Sequence, residues 1–73
     1  MDERKMSTQA AIVRVVKARK TVTHAALVSA VVSQLSGRFV PQVSDIKQNI
    51  DRLIEKEYMA RDAEQMDVYR YLA

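Results

Sequence analysis

The chain alternates between apolar stripes and polar faces in a way that separates three helices from a short β tail. Over residues 5–19, about 100° of turn per residue places Thr8, Ile12, Val15 and Val16 on one side. Lys5 and Arg19 close the two ends of that stripe, where their stems can pack and their heads reach water. Lys17 falls ~140° from Ile12, with Ala10 and Arg14 beside it on the outward face. Residues 20–23, "KTVT", change to β-branched character and predict a short extended segment.

Thr23 is a suitable N-cap for a second helix over 24–35, whose Leu27, Val31 and Leu35 recur at i, i+4 and i+8. Gly37, the sole glycine, sits where a helix C′ residue is wanted. "RFVPQV" reads as a connector, because Pro41 forbids an ordinary helix and biases Val40 to extended backbone. Ser44 is the expected cap of a third helix over 45–58, with Ile46, Ile50, Leu53 and Ile54 inward. "YMARD" and "VYRYLA" then flank the polar "AEQMD" as two strands. The second places Tyr69 and Tyr71 on one face and Arg70 and Leu72 on the other. Helix, short strand, helix, helix, hairpin is a winged-helix order: mainly α with a small β-hairpin, three helices plus short strands.

Composition narrows what such a domain can do. Seventy-three residues make one domain, 1–73, near the lower size limit for folding without staples. Without cysteine there is neither a disulfide nor a thiolate metal site, and one histidine cannot build a zinc site. No cofactor is expected. No apolar run approaches the ~20 residues of a membrane span, and no signal-peptide pattern opens the chain. A reducing compartment, cytoplasm and nucleus, is the expectation.

The net charge of +3 is unevenly placed. Residues 1–20 carry Arg4, Lys5, Arg14, Lys17, Arg19 and Lys20 against Asp2 and Glu3, a local +4; the remainder is −1. A nucleic-acid-binding winged helix is therefore one reading. A reader of this class presents its last helix to the major groove. Here that helix faces outward with Asp45, Gln48, Asp51, Arg52, Glu55 and Lys56, a net −1 that opposes phosphate. The wing's Arg61 and Arg70 are offset by Asp62, Glu64 and Asp67. Base reading is disfavoured, while backbone binding through the first helix and a merely solvated basic face both stay open. Catalysis is not expected: there is no Gly-rich phosphate loop and no evident acid pair. His24, at a helix start with apolar residues after it, reads as a packing or capping histidine rather than a general base. The three tyrosines read as closing the core under the wing rather than stacking bases.

The run Ala11-Ile12-Val13-Arg14-Val15-Val16-Lys17-Ala18-Arg19-Lys20 resembles the neddylation-site segment of the cullin family. Matches continue in register through His24, Leu27-Val28, Gln34-Leu35, Arg38-Phe39, Pro41, Ile46-Lys47, Leu53 to Tyr58 and Arg61. The ending Tyr69-Arg70-Tyr71-Leu72-Ala73 resembles a cullin C-terminus. Departures are mild. Val15-Val16 stands where many cullins have Ile-Met, Ala30 where an acidic residue is common, and Gln48-Asn49 where a second basic residue is common.

The resemblance implies a C-terminal regulatory domain from the scaffold of a RING ubiquitin ligase, a fragment for which Met1 need not be the natural start. It implies that Lys17 accepts a ubiquitin-like modifier through an isopeptide bond, and that this activates ubiquitin transfer by the parent ligase. Such a domain is a substrate of enzymes, not an enzyme. The implied partners are the modifier, its conjugating enzyme and accessory ligase, the RING-box subunit and a deneddylating signalosome. Arg14, Arg19 and Lys20 would form the recognition surface around the acceptor. On an unbroken helix Arg14 and Lys20, at i−3 and i+3, would also flank the Lys17 amine.

Overall fold

The computed structural model describes residues 3–72. Met1, Asp2, the side chains of Glu3 and Arg4, and the terminal Ala73 lie outside what is described. Helix α1 spans Glu3–Arg19, strand β1 Thr21–Thr23, α2 His24–Leu35, α3 Val43–Glu55, β2 Met59–Arg61 and β3 Val68–Tyr71. The strands form one antiparallel sheet in the order β1-β3-β2. The extended "KTVT" segment is thus the third strand of the wing, with Val22 opposite Tyr69.

The aliphatic stripes meet as their periodicity requires. Ile12 and Val16 of α1, Leu27 and Val31 of α2, and Ile46 and Ile50 of α3 are all essentially inaccessible to water. Met59 and Tyr69 close the core from the sheet. Thr8, on the expected inward face, is buried as well. Alternation in β3 buries Tyr69 and partly buries Tyr71, leaving Arg70 and Leu72 exposed. Helix α2 begins at its predicted cap: Thr23 has extended backbone and its Oγ1 accepts from the Ala26 N–H at 3.2 Å.

Both ends of α3 differ from expectation, and so does the conformation of Gly37 after α2. Helix α3 starts at Val43, with Gln42 as N-cap, so Ser44 is already helical. Pro41 keeps the preceding backbone extended, and the Gln42 carbonyl takes the first helical bonds from Asp45 and Ile46. Asp45 then lies in the first turn, where a carboxylate favours the positive helix end. At the other end α3 stops at Glu55, not Tyr58. Glu57 is left-handed at φ 66°, the Glu57 N–H donates to the Ile54 carbonyl and the Tyr58 N–H to the Leu53 carbonyl. This is a Schellman closure built without glycine. Gly37, conversely, has no positive φ. Helix α2 ends as an ordinary turn in which Arg38 and Phe39 N–H groups both donate to the Leu35 carbonyl.

Candidate functional site

The C-terminal end of α1 gathers the basic residues that the sequence singles out, and the backbone divides them. Burial of Ile12, Val15 and Val16 fixes the rotation of α1 about its axis. That rotation leaves Lys17 exposed in the last turn, with Arg19 exposed beside it. Neither side chain makes a hydrogen bond or ion pair within the described residues. Cations in this position also complement the negative end of the helix.

Arg14 and Lys20 are engaged elsewhere. The Arg14 Nη1 donates to Gln34 Oε1 of α2 at 3.0 Å, a polar tie across the α1–α2 seam. Lys20 leaves the helical path altogether, at φ 67°, with its N–H donating to the Val16 carbonyl at 2.7 Å to close α1. Its Nζ sits 5.0 Å from the Tyr71 ring centroid. The helix ends at Arg19, as the change to β-branched residues predicts, and the left-handed residue takes Lys20 out of phase, so Lys20 does not flank Lys17 along one helix. All four residues expected at the site are exposed; the Lys17 and Arg19 side chains have no partner among the described residues, while Arg14 and Lys20 each contact a side chain of the domain body.

Several polar residues that support the site have weaker signals in sequence. Asn49 is buried within the α3 stripe. It accepts from Gln9 Nε2 at 3.0 Å through Oδ1 and donates to the Asp45 carbonyl at 2.8 Å through Nδ2. This bridges α1 to α3. Its place between Ile46 and Leu53 at helical spacing is the only hint the sequence offers. His24 has the packing role expected of it: its Nδ1 lies 2.8 Å from Tyr69 Oη, and its N–H donates to the Asp67 carbonyl at 2.6 Å. Under the wing, Arg61 Nη1 approaches the same Tyr69 oxygen at 3.5 Å while Nη2 meets Asp51 Oδ1 at 3.2 Å. The wing cation is thus drawn onto α3 and away from any phosphate partner, in keeping with the disfavoured base-reading surface. At the wing turn, the Asp62 carboxylate accepts from the N–H groups of Glu64 and Gln65. Those two bonds, with the nearby Arg70 charge, hold it below its ordinary value of 3.8.

No group of three or more histidine, cysteine or acidic residues among those described is arranged to hold a metal ion. No helix among them is long and apolar enough to cross a membrane. The end of α1 presents the exposed side chains of Lys17 and Arg19, neither with a hydrogen-bond or ion-pair partner among the described residues.

The comparisons with known proteins agree. Residues 3–65 match the cullin protein neddylation domain. The chain is 53% identical over 72 residues to Cullin-1 of Schizosaccharomyces pombe and 50% identical over 72 residues to Cullin-3 of Caenorhabditis elegans. Each match takes in 99% of this chain and 9% of the relative, so the chain spans about a tenth of the length of these curated relatives. A solved complex described as "A Dual E3 Mechanism for Rub1 Ligation to Cdc53: Dcn1(P)-Cdc53(WHB)" contains a chain of the same fold. The TM-score is 0.92 at 39% identity, covering 97% of this chain and 81% of that one. The chain belongs to the cullin neddylation domain family. It is the modifier-accepting region of a cullin scaffold, a winged helix that is a substrate of neddylation rather than a catalyst.

Proposed function

We propose that Lys17 is the acceptor of the ubiquitin-like modifier, and that this domain is the C-terminal switch of a cullin-RING ubiquitin ligase. The observation that carries the assignment is the open Lys17 amine in the last turn of a helix whose rotation is fixed by a buried aliphatic stripe. The chemistry asks little else of the domain. The modifier arrives as a thioester of its C-terminal carboxyl on the conjugating enzyme. The neutral Lys17 Nζ attacks that carbonyl, a C–N bond forms, the C–S bond breaks, and the enzyme's cysteine leaves as thiolate. The extra proton on nitrogen passes to solvent or a base of the conjugating enzyme.

At a reference pKa of ~10.4, only about one lysine in a few thousand is neutral at pH 7. The conjugating enzyme therefore supplies activation by positioning and desolvating the amine. Arg19 provides the exposed charge beside the acceptor for pairing with acidic surfaces on the modifier or its enzymes. Arg14 and Lys20, although tied down, extend the same positive field, which favours encounter rate and specificity. The related Cdc53 domain is described in complex with Dcn1. By likeness, an accessory ligase of that kind engages this domain.

In the parent ligase, modification frees the RING-box subunit from a restrained position, and a deneddylating signalosome reverses it. Cytoplasm and nucleus are the compartments in which such a ligase works. The test is a reconstituted neddylation reaction with isopeptide mapping by mass spectrometry. One conjugate at Lys17, absent in Lys17→Arg, is the expected result. A conjugate that persists unchanged in Lys17→Arg refutes the assignment.

A further inference from the structure

Lys20 stands three residues beyond Lys17, about one helical turn away, and carries the same amine. It is held in ways that Lys17 is not. Its N–H is bonded to Val16 in the left-handed closure of α1, and its carbonyl accepts from the Tyr71 N–H at 2.8 Å. Its Nζ lies 5.0 Å from the Tyr71 ring centroid, within the range where a ring face attracts an ammonium. Tyr71 is fixed in turn by β3, where it pairs with Met59 of β2 and is partly buried.

We propose that Tyr71 is a specificity-determining residue: its ring holds the Lys20 ammonium on the sheet and so directs the modifier to Lys17. This inference rests on Lys17 being the acceptor. The nucleophile in the transfer is the neutral amine, and attraction to the ring quadrupole depends on the charged one. Lys20 must therefore give up its ring contact as well as its proton before it can attack the thioester carbonyl and expel the thiolate. Lys17 has no ring contact to give up, although the negative end of α1 also favours its charged form. An exposed cation–π contact lowers the availability of Lys20 by about two- to fivefold. The bias adds to any orientation imposed by the conjugating enzyme and is built into the substrate itself.

Two reactions on the intact chain test it, each read by site-resolved mass spectrometry. The first is acylation with limiting N-hydroxysuccinimidyl acetate, which reports amine availability without any enzyme. The second is the neddylation reaction, scored as the ratio of isopeptide at Lys20 to that at Lys17. Tyr71→Leu should raise the Lys20 share about two- to fivefold in both. Tyr71→Phe, which keeps the ring, should leave it near the wild-type value. Tyr71→Ile is a second ring-free variant that retains β-propensity, with melting curves establishing that each variant is folded.

An unmoved Lys20 share in the folded ring-free variants overturns the proposal, as does a Tyr71→Phe share that rises as far as that of Tyr71→Leu. A wild-type conjugate mapped away from Lys17 overturns the acceptor assignment and this selectivity with it. A wild-type conjugate on Lys17 with no gain at Lys20 overturns the role of Tyr71 alone.

Discussion

Tyr69→Phe isolates the polar contact under the wing from the packing around it. The Tyr69 ring is 2% exposed, and phenylalanine keeps its volume and its tilted contact with His24 at 5.8 Å between centroids. Only the hydroxyl is lost. That hydroxyl is 2.8 Å from His24 Nδ1, a bond expected to contribute about 1 kcal/mol net. His24 is half-buried, so water replaces the missing partner incompletely, adding up to about 1 kcal/mol. The Arg61 contact, at 3.5 Å, adds little because Arg61 keeps Asp51.

The sum is a loss of about 1–2 kcal/mol, which lowers the Tm of a chain this size by roughly 6–12 °C. Urea unfolding of the single variants Tyr69→Phe and His24→Ala, and of the double variant, completes a cycle. Two independent sites would add within about 0.5 kcal/mol; the shared bond predicts a coupling of about 1 kcal/mol. A neutral Tyr69→Phe, or strict additivity in the cycle, refutes the contribution assigned to this bond.

Two further outcomes follow from local geometry. Glu57→Gly should stabilise the domain by about 0.5–1 kcal/mol, because relief of the left-handed backbone exceeds the extra unfolded-state entropy of glycine. Both Schellman bonds use backbone groups and survive the change; the urea midpoint should rise at constant slope, and a fall would refute the strain argument. Asp62 is held below 3.8 in the folded domain, so its contribution is present above that pH and is lost as pH falls through the lower folded value. The amide shifts of Glu64 and Gln65, followed by NMR, should titrate with a midpoint below 3.8, and a midpoint at or above it contradicts the turn described here.

Side-chain periodicity is legible where burial repeats it. The stripes Ile12/Val15/Val16, Leu27/Val31/Leu35 and Ile46/Ile50/Leu53 depend on one property, removal of apolar area from water, which each residue carries alone. The same phase points Lys17 outward. Helix ends are less legible because they depend on backbone bonds that residue type constrains weakly. Ser44 has a good capping side chain, but the Gln42 carbonyl takes the first helical bonds and the helix starts two residues earlier. Glycine is the usual sign of a left-handed stop, yet Glu57 and Lys20 adopt that conformation and Gly37 does not. Asn49 is polar in an apolar stripe, and its placement makes sense only once Gln9 from α1 is known to face it.

The end of α1 at Arg19, where the change to β-branched residues places it, bears directly on the site. Charge counting merges Arg14, Lys17, Arg19 and Lys20 into one patch, and a patch has no preferred nucleophile. The chain separates them through non-local contacts, since Gln34 stands 20 residues from Arg14 and Tyr71 reaches Lys20 across the sheet. Both contacts draw cationic side chains onto the body of the domain without neutralising them. The positive field remains available to steer an acidic partner. A helix ending one turn later would carry Lys20 onto the face of Lys17 and forfeit that distinction. The left-handed closure at Lys20 therefore does more than terminate α1: it sets Lys20 off the helical face that carries Lys17.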